Sequence, residues 1–440
     1  MPLIQPLLDG VYPTVAYGDG VFLTDSEGRR YLDGCSGAVT AGLGHALQEI
    51  VDVMAEQARR VAFSYRLQFR NQPADDLAAL LEELAPGDIR WTFFVNSGSE
   101  ATETAQKMAI QYWREAGRPE KTVVLSRRLS YHGITLGALS MSGHRARRSL
   151  FEPLLTPNAV VVPPYCYRCP LGKTYPECNV ACADDLQQNI DRLGAEQVAA
   201  FAMEPVIGAA GGAIVPPQGY FQRIREICDR NEVLLIADEV MTAMGRTGAM
   251  FAMEHWGVEP DLIALGKGLS AGYTPLAATL ASDHLVQTIR AGSGAIMSGH
   301  TYSANPLSCA VGLAVVRYVQ KHDLARRAAT LGPTLGERLE GLRARHPIVG
   351  DVRGLGLLWG LELVADPVTR TPFPTNARVT ARLVAAAQEQ GLLIYPALAG
   401  AGEGTGDAVI VAPPLTIDEA ELGLLGDLLD RSLTALEDTL

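Results

Sequence analysis

Two apolar runs constrain this chain more than any other feature. "VLLIADEV" (Val233–Val240) and "DLIALGKG" (Asp261–Gly268) are unbroken in aliphatic residues, and each runs into a charge, Asp238 or Lys267. Such runs predict strands buried on both faces. "RWTFFVNSG" (Arg90–Gly98), "KTVVLS" (Lys121–Ser126), "AAFAMEP" (Ala199–Pro205) and "PLAATLA" (Pro275–Ala281) read as further strands. The segments between have helical spacing. "GYFQRIREICDRN" puts Phe221, Ile224, Ile227 and Cys228 on one stripe, and the helix predicted from Ser99 puts Ala101, Ala105, Met108, Ala109 and Tyr112 on another. Strand–helix alternation defines an α/β chain with a parallel or mostly parallel sheet covered on both faces. Ligands of such sheets bind beyond the carboxyl ends of the strands, where Asp238 and Lys267 fall.

The C-terminal part has a different rhythm. Gly354–Val364, Gly391–Pro396 and Ala408–Pro414 are strand-like, with a helical stretch over Asn376–Gly391, which predicts a smaller α+β domain. Gly20–Asp33 reads as a hairpin turning at Asp25–Gly28. The expected division is an N-terminal segment, 1–60, packing with the small domain; a large cofactor-binding domain, 61–325; and the C-terminal small domain, 326–440. A length of 440 residues suits two domains. The net charge of -12 argues against nucleic acid or an anionic membrane as partner. No stretch reads as a signal peptide or membrane span, so the seven cysteines are expected as reduced thiols in the cytoplasm.

Burying a lysine at a strand end lowers its pKa and makes the amine a nucleophile towards carbonyls. Alone, Lys267 reads more readily as a surface lysine. A carboxylate at a neighbouring strand end changes the reading, because Asp238 there can keep a pyridine nitrogen protonated, the logic of pyridoxal phosphate (PLP) chemistry. A phosphate cradle is also present. "NSGSEA" (Asn96–Ala101) joins a strand to a helix N-terminus, with Gly98 allowing close approach and the Ser97 and Ser99 hydroxyls free to donate. Ser97 and Glu100 have capping-box spacing. "SYHG" puts Tyr131 and His132 in a loop after a strand, where Tyr131 can cover a pyridine face and Val240 the other.

In this order and spacing the chain resembles the class III (ω-amino) aminotransferases, fold-type I PLP enzymes. The resemblance extends over nearly the whole chain, through "NSGSEATETAQKMA", "YHG", "MEPVIGAAGG", "LLIADEVMTAMGRTG", "PDLIALGKGLSAGYTPLAA", "SGHTYSANPLSCA" and "VRGLGLLWGLEL". It implies that Lys267 anchors the cofactor and shuttles a proton, that Asp238 pairs with the pyridine nitrogen, and that Gly98 and Ser99 hold the phosphate. Tyr131 stacks on the ring, Val240 packs beneath it, and Glu204 supports its substituents. Thr301 reaches the cofactor phosphate of a partner subunit, which implies a homodimer with shared sites. The implied reaction is ping-pong transfer from an amine or ω-amino donor to a keto acid, pyruvate or 2-oxoglutarate. Racemase or epimerase, aminomutase, decarboxylase and phospho-lyase chemistry use the same residues and stay open.

The pattern departs from that family in places. "AMGRTG" (Ala243–Gly248) replaces "GFGRTG", and Ala209 stands where several relatives carry a glutamate. Between Tyr395 and Pro413 there is no Arg or Lys, although many relatives place a carboxylate-binding arginine there. Arg66, Arg70 and Arg353 are the candidates to replace it. The basic run His144, Arg145, Arg147, Arg148 reads as a solvated face. Cys166, Cys169, Cys178 and Cys182 are spaced C-x2-C-x8-C-x3-C, which could suit zinc. Reduced thiols are the expectation, with no metal in the site.

Overall fold

In the computed structural model, which describes residues 3–5, 7, 8, 10–157, 160–400 and 406–440, the apolar runs form one seven-stranded sheet. Its strands are β1 (Ile89–Val95), β2 (Val123–Arg127), β3 (Val160–Val161), β4 (Val198–Met203), β5 (Leu234–Asp238), β6 (Leu262–Leu265) and β7 (Ala277–Ser282). Their order is β1-β7-β6-β5-β4-β2-β3. Neighbours from β6 through β3 pair in parallel, with Asp238 opposite Ala264. β7 alone runs the other way, between β1 and β6.

Strand periodicity explains the burial on both faces. Leu235 and Ala237 of β5 join one apolar cluster, while Leu234 and Ile236 join another. Helix Gly98–Glu115 covers the second cluster with small residues, and Ala101, Ala105 and Ala109 are fully buried. Their size lets the helix backbone approach the sheet, where Thr279 Oγ1 donates to Ala101 O at 2.8 Å. Helices Gln72–Leu84, Ala181–Leu193 and Tyr220–Arg230 cover the first. All strand ends that carry the motifs therefore reach one edge of the sheet.

The C-terminal strands form a separate antiparallel sheet of Val349–Leu355, Leu358–Leu363, Gly406–Val411 and Tyr395–Ala399. The strand expected over Gly354–Val364 is instead the end of one strand, a turn and a second strand. Gly356 makes that turn at φ +58°, with its backbone so close to Thr247 that a Cβ would fall 2.3 Å from Thr247 C. The N-terminal hairpin is present as Phe22–Asp25 and Arg30–Asp33. Leu392–Leu393 pairs in parallel with its second strand.

A buried ionic cluster ties the loop after β3 to the C-terminal sheet. Glu362 accepts from Arg353 Nη1 at 2.8 Å, from Arg168 Nε at 2.8 Å and from the Tyr165 hydroxyl. Removing one member of such a cluster strands the others away from water. Glu362→Ala is expected to lower unfolding free energy by about 3–5 kcal/mol. Denaturant titration checks this, with Glu82→Ala, at an exposed partner of Arg90, as the near-neutral control. Equal midpoints for the two variants would show that the cluster adds nothing.

Candidate active site

At the end of β1 the chain turns through Asn96 into helix Gly98–Glu115. Ser97 Oγ accepts from Glu100 N at 3.3 Å. The expected capping box is only half formed, because the Glu100 carboxylate reaches past Ser97 to Asn96, whose N and Nδ2 donate at 2.7 and 3.0 Å. Asn96 offers two donors where Ser97 offers one backbone N–H. First-turn N–H groups have no intrahelical acceptor, so those of Gly98 and Ser99 are available to a ligand. Gly98 is required by packing, since a Cβ would lie 2.8 Å from Val240 Cγ1. Ser99 Oγ accepts from Ile134 N at 3.0 Å and keeps its own hydrogen to donate.

After β2, the loop Ser130–Gly133 enters the site. Tyr131 N donates to Glu204 Oε2 at 3.2 Å, and Gly208 N donates to Glu204 Oε1 at 3.1 Å. Arg127 donates to the Glu204 carbonyl. Burial raises the Glu204 carboxyl above the usual range. His132 is held by its backbone, its N donating to Ser142 Oγ at 2.8 Å and its carbonyl accepting from Thr102 Oγ1 at 2.6 Å. Its Nδ1 lies 2.8 Å from Asp238 Oδ2, with both side chains buried. Asp238 Oδ1 accepts from Val240 N at 3.1 Å. This His132–Asp238 pair was not foreseen from the sequence, where nothing links a loop after β2 to the end of β5.

Lys267 follows β6 with φ +42°, a left-handed conformation unusual for a non-glycine residue. Its Nζ makes no hydrogen bond among the described residues. Burial pulls the amine down to about 8; Asp238 and Glu204 oppose this, and Arg147 adds to it. Lys267, Asp238, His132, Tyr131, Glu204, Val240, Gly98 and Ser99 line one cavity of about 190 Å³, together with Gly133, Ala209 and Met241. Ser97 stays outside as the helix cap. Thr301 is exposed and does not line this cavity.

The remaining candidates separate clearly. Arg353 donates to Asp351, Glu362 and the Gly211 and Gly212 carbonyls, so it is a structural cation. Arg70 pairs with Asp75 in solvent, and Arg66 donates to Ser298 O at 2.9 Å. The basic run is not a uniformly solvated face. Arg148 donates to the Leu139, Ser140 and Ser142 carbonyls, and the Arg147 guanidinium lies over the Tyr131 ring, 4.8 Å from its centroid. Ala243 and Met244 are buried core residues. The four clustered cysteines are free thiols. Burial, together with Cys166, Cys178 and Cys169, pushes Cys182 up to about 12. Among the described residues no group of three or more His, Cys, Asp or Glu is arranged to hold a metal.

An unpartnered amine, a histidine-backed carboxylate and an open helix N-terminus around one cavity fit a phosphorylated pyridine aldehyde. Fold and site together define a fold-type I PLP-dependent enzyme. Comparison with known proteins narrows this. The profile of the Aminotransferase class-III family matches residues 9–433. The chain is 48% identical over 438 residues to the uncharacterized aminotransferase YodT of Bacillus subtilis, covering 100% of this chain and 98% of that protein. It is 39% identical to the adenosylmethionine-8-amino-7-oxononanoate aminotransferase of Geobacter sulfurreducens, over 95% of this chain and 91% of that one. Among solved structures, a PLP-bound amine transaminase from an uncultivated Pseudomonas species superposes with TM-score 0.93 at 37% identity, covering 99% of this chain and 97% of the other. An (S)-enantioselective ω-transaminase from Thermomicrobium roseum gives 0.92 at 37% identity, covering 99% and 96%. The chain belongs to the class III aminotransferases, and PLP is its cofactor.

Proposed function

We propose that this enzyme moves an amino group from an amine or ω-amino donor to a keto acid, pyruvate or 2-oxoglutarate, by a ping-pong mechanism. The observation that carries the reading is the cavity in which the free Lys267 amine faces the same space as Asp238 and the N-terminus of helix Gly98–Glu115. PLP, when bound, supplies an aldehyde carbon and an electron sink for the carbon–hydrogen bond that breaks.

The chain's own residues divide the remaining work. Lys267 anchors the aldehyde covalently and then carries the proton between substrate carbon and cofactor. Asp238 holds the ring nitrogen protonated, and His132 fixes that carboxylate through its 2.8 Å contact. Gly98 and Ser99 hold the phosphate, with Ser97 capping the helix that presents them; Tyr131 and Val240 cover the two ring faces, and Glu204 supports the ring substituents. Thr301 serves the cofactor of a second copy, so the working unit is a homodimer with shared sites. Support comes from the exposure of Thr301 and from the apolar surface around it, where exposed Phe63 packs edge-on against exposed Tyr302 with ring centroids 5.8 Å apart. The division into 1–60, 61–325 and 326–440 and a cytoplasmic setting belong to the same reading. Among the described residues no helix is long and apolar enough to cross a membrane.

The direct test is the visible spectrum of the PLP-loaded enzyme with single amines and no keto acid. β-Alanine, 4-aminobutyrate, a diamine, 1-phenylethylamine and α-amino acids form the panel. Bleaching of the cofactor band by a donor, and its return with a keto acid, is the expected result. A band that no donor bleaches would overturn the reading.

The lysine also sets a pH dependence. Burial disfavours the charged amine, so its pKa falls from 10.5 to about 8 and the nucleophilic neutral form is present at lower pH. Capture of PLP by the apoprotein is expected to speed up about tenfold per pH unit below that value and to level off near pH 8. Stopped-flow absorbance checks this. Levelling only above pH 10 would mean that the amine is not depressed.

A further inference from the structure

We propose that Arg147 is the anchor for the carboxylate of the keto-acid acceptor, an inference that rests on the aminotransfer reading above. The first ground is elimination. Between Tyr395 and Pro413 no cation is available in the sequence. The Arg353 guanidinium is committed to Asp351, Glu362 and two backbone carbonyls. Arg70 pairs with Asp75 in solvent, and Arg66 is held by Ser298 O, 5.0 Å over the Phe93 ring.

The second ground is geometry. The exposed Arg147 guanidinium makes no ion pair or hydrogen bond among the described residues, and it sits 4.8 Å from the ring centroid of Tyr131, a residue that lines the cavity with Lys267. Its donors are therefore available, and the planar fork matches a carboxylate. The third ground is preorganisation. Next to it, Arg148 is fixed by the Leu139, Ser140 and Ser142 carbonyls at 2.8–2.9 Å and by Glu152 at 3.1 Å. The short helix is thus held still, and the Tyr131 face steadies the guanidinium, so little order is lost when an anion arrives. A cation kept unpaired over a ring that lines the cavity is suited to a ligand that brings the negative charge.

The acceptor half-reaction tests this in isolation. Wild type, Arg147→Gln and Arg147→Lys are loaded with pyridoxamine phosphate and mixed with pyruvate, and the return of the aldehyde band is followed. For Arg147→Gln the concentration of pyruvate at half-maximal rate should rise about 10- to 100-fold, from loss of a charge-assisted pair. The rate at saturation and the affinity for pyridoxamine phosphate should stay at wild-type values. Arg147→Lys should recover part of the loss, since it restores charge without the fork. An unchanged half-maximal concentration in Arg147→Gln overturns the assignment while leaving aminotransfer intact. A parallel fall in pyridoxamine phosphate affinity also overturns it, by showing a structural role. If wild type itself shows no return of the band with any keto acid, the aminotransfer reading fails and the inference fails with it.

Discussion

Lys267→Ala protein is expected to bind PLP reversibly, to lose the covalent link and to turn over at no more than about 10⁻⁴ of the wild-type rate. Two losses combine. The variant has no amine to anchor the aldehyde, and no base to move the proton from the substrate carbon. The depressed amine fits both tasks, because a group near 8 is neutral in a useful fraction close to physiological pH. Borohydride reduction followed by mass measurement reads the link, and steady-state turnover reads the proton step. Borohydride should fix the cofactor to wild type and not to the variant. An equal mass gain in both proteins would place the anchor on another amine. The left-handed backbone at position 267 bears on the control. Alanine meets the same backbone strain as lysine, so the variant should fold.

Asp238→Asn should lower kcat by about 100- to 1000-fold, with a much smaller change in the half-saturating donor concentration. The substitution keeps the size of the side chain and an oxygen for Val240 N, which donates at 3.1 Å. It removes the charge that would hold the ring nitrogen protonated. In a buried site that charge is not replaced by water. His132 should matter through the same carboxylate, because its Nδ1 contact at 2.8 Å fixes where the charge points. Stopped-flow traces of the donor half-reaction separate the slowed proton step from binding. A variant with wild-type kcat would remove Asp238 from the chemistry and leave it as a loop anchor.

Much of this architecture is written in local pattern. Continuous apolar runs mark β5 and β6 as strands buried on both faces, because only such strands can be aliphatic at every position. Their carboxyl ends then place Asp238 and Lys267 at one edge of one sheet, as the register of Asp238 opposite Ala264 shows. The small residues of helix Gly98–Glu115 announce a close approach to that sheet. The Gly354–Val364 segment misled because its turn depends on the proximity of Thr247 to Gly356, a contact between residues distant in sequence.

The sequence by itself determined the α/β class, the order of the motifs and the residue types at the strand ends. These depend on periodicity and on what can be buried at each position. Tertiary structure alone decided which charges face each other. It turned His132 to Asp238, spent Arg353 on Glu362, and laid the exposed Arg147 guanidinium over the Tyr131 ring. Those choices rest on distances between side chains carried by different strands and loops. Periodicity shows which face a residue takes, but the partner across the gap is fixed only when the chain packs.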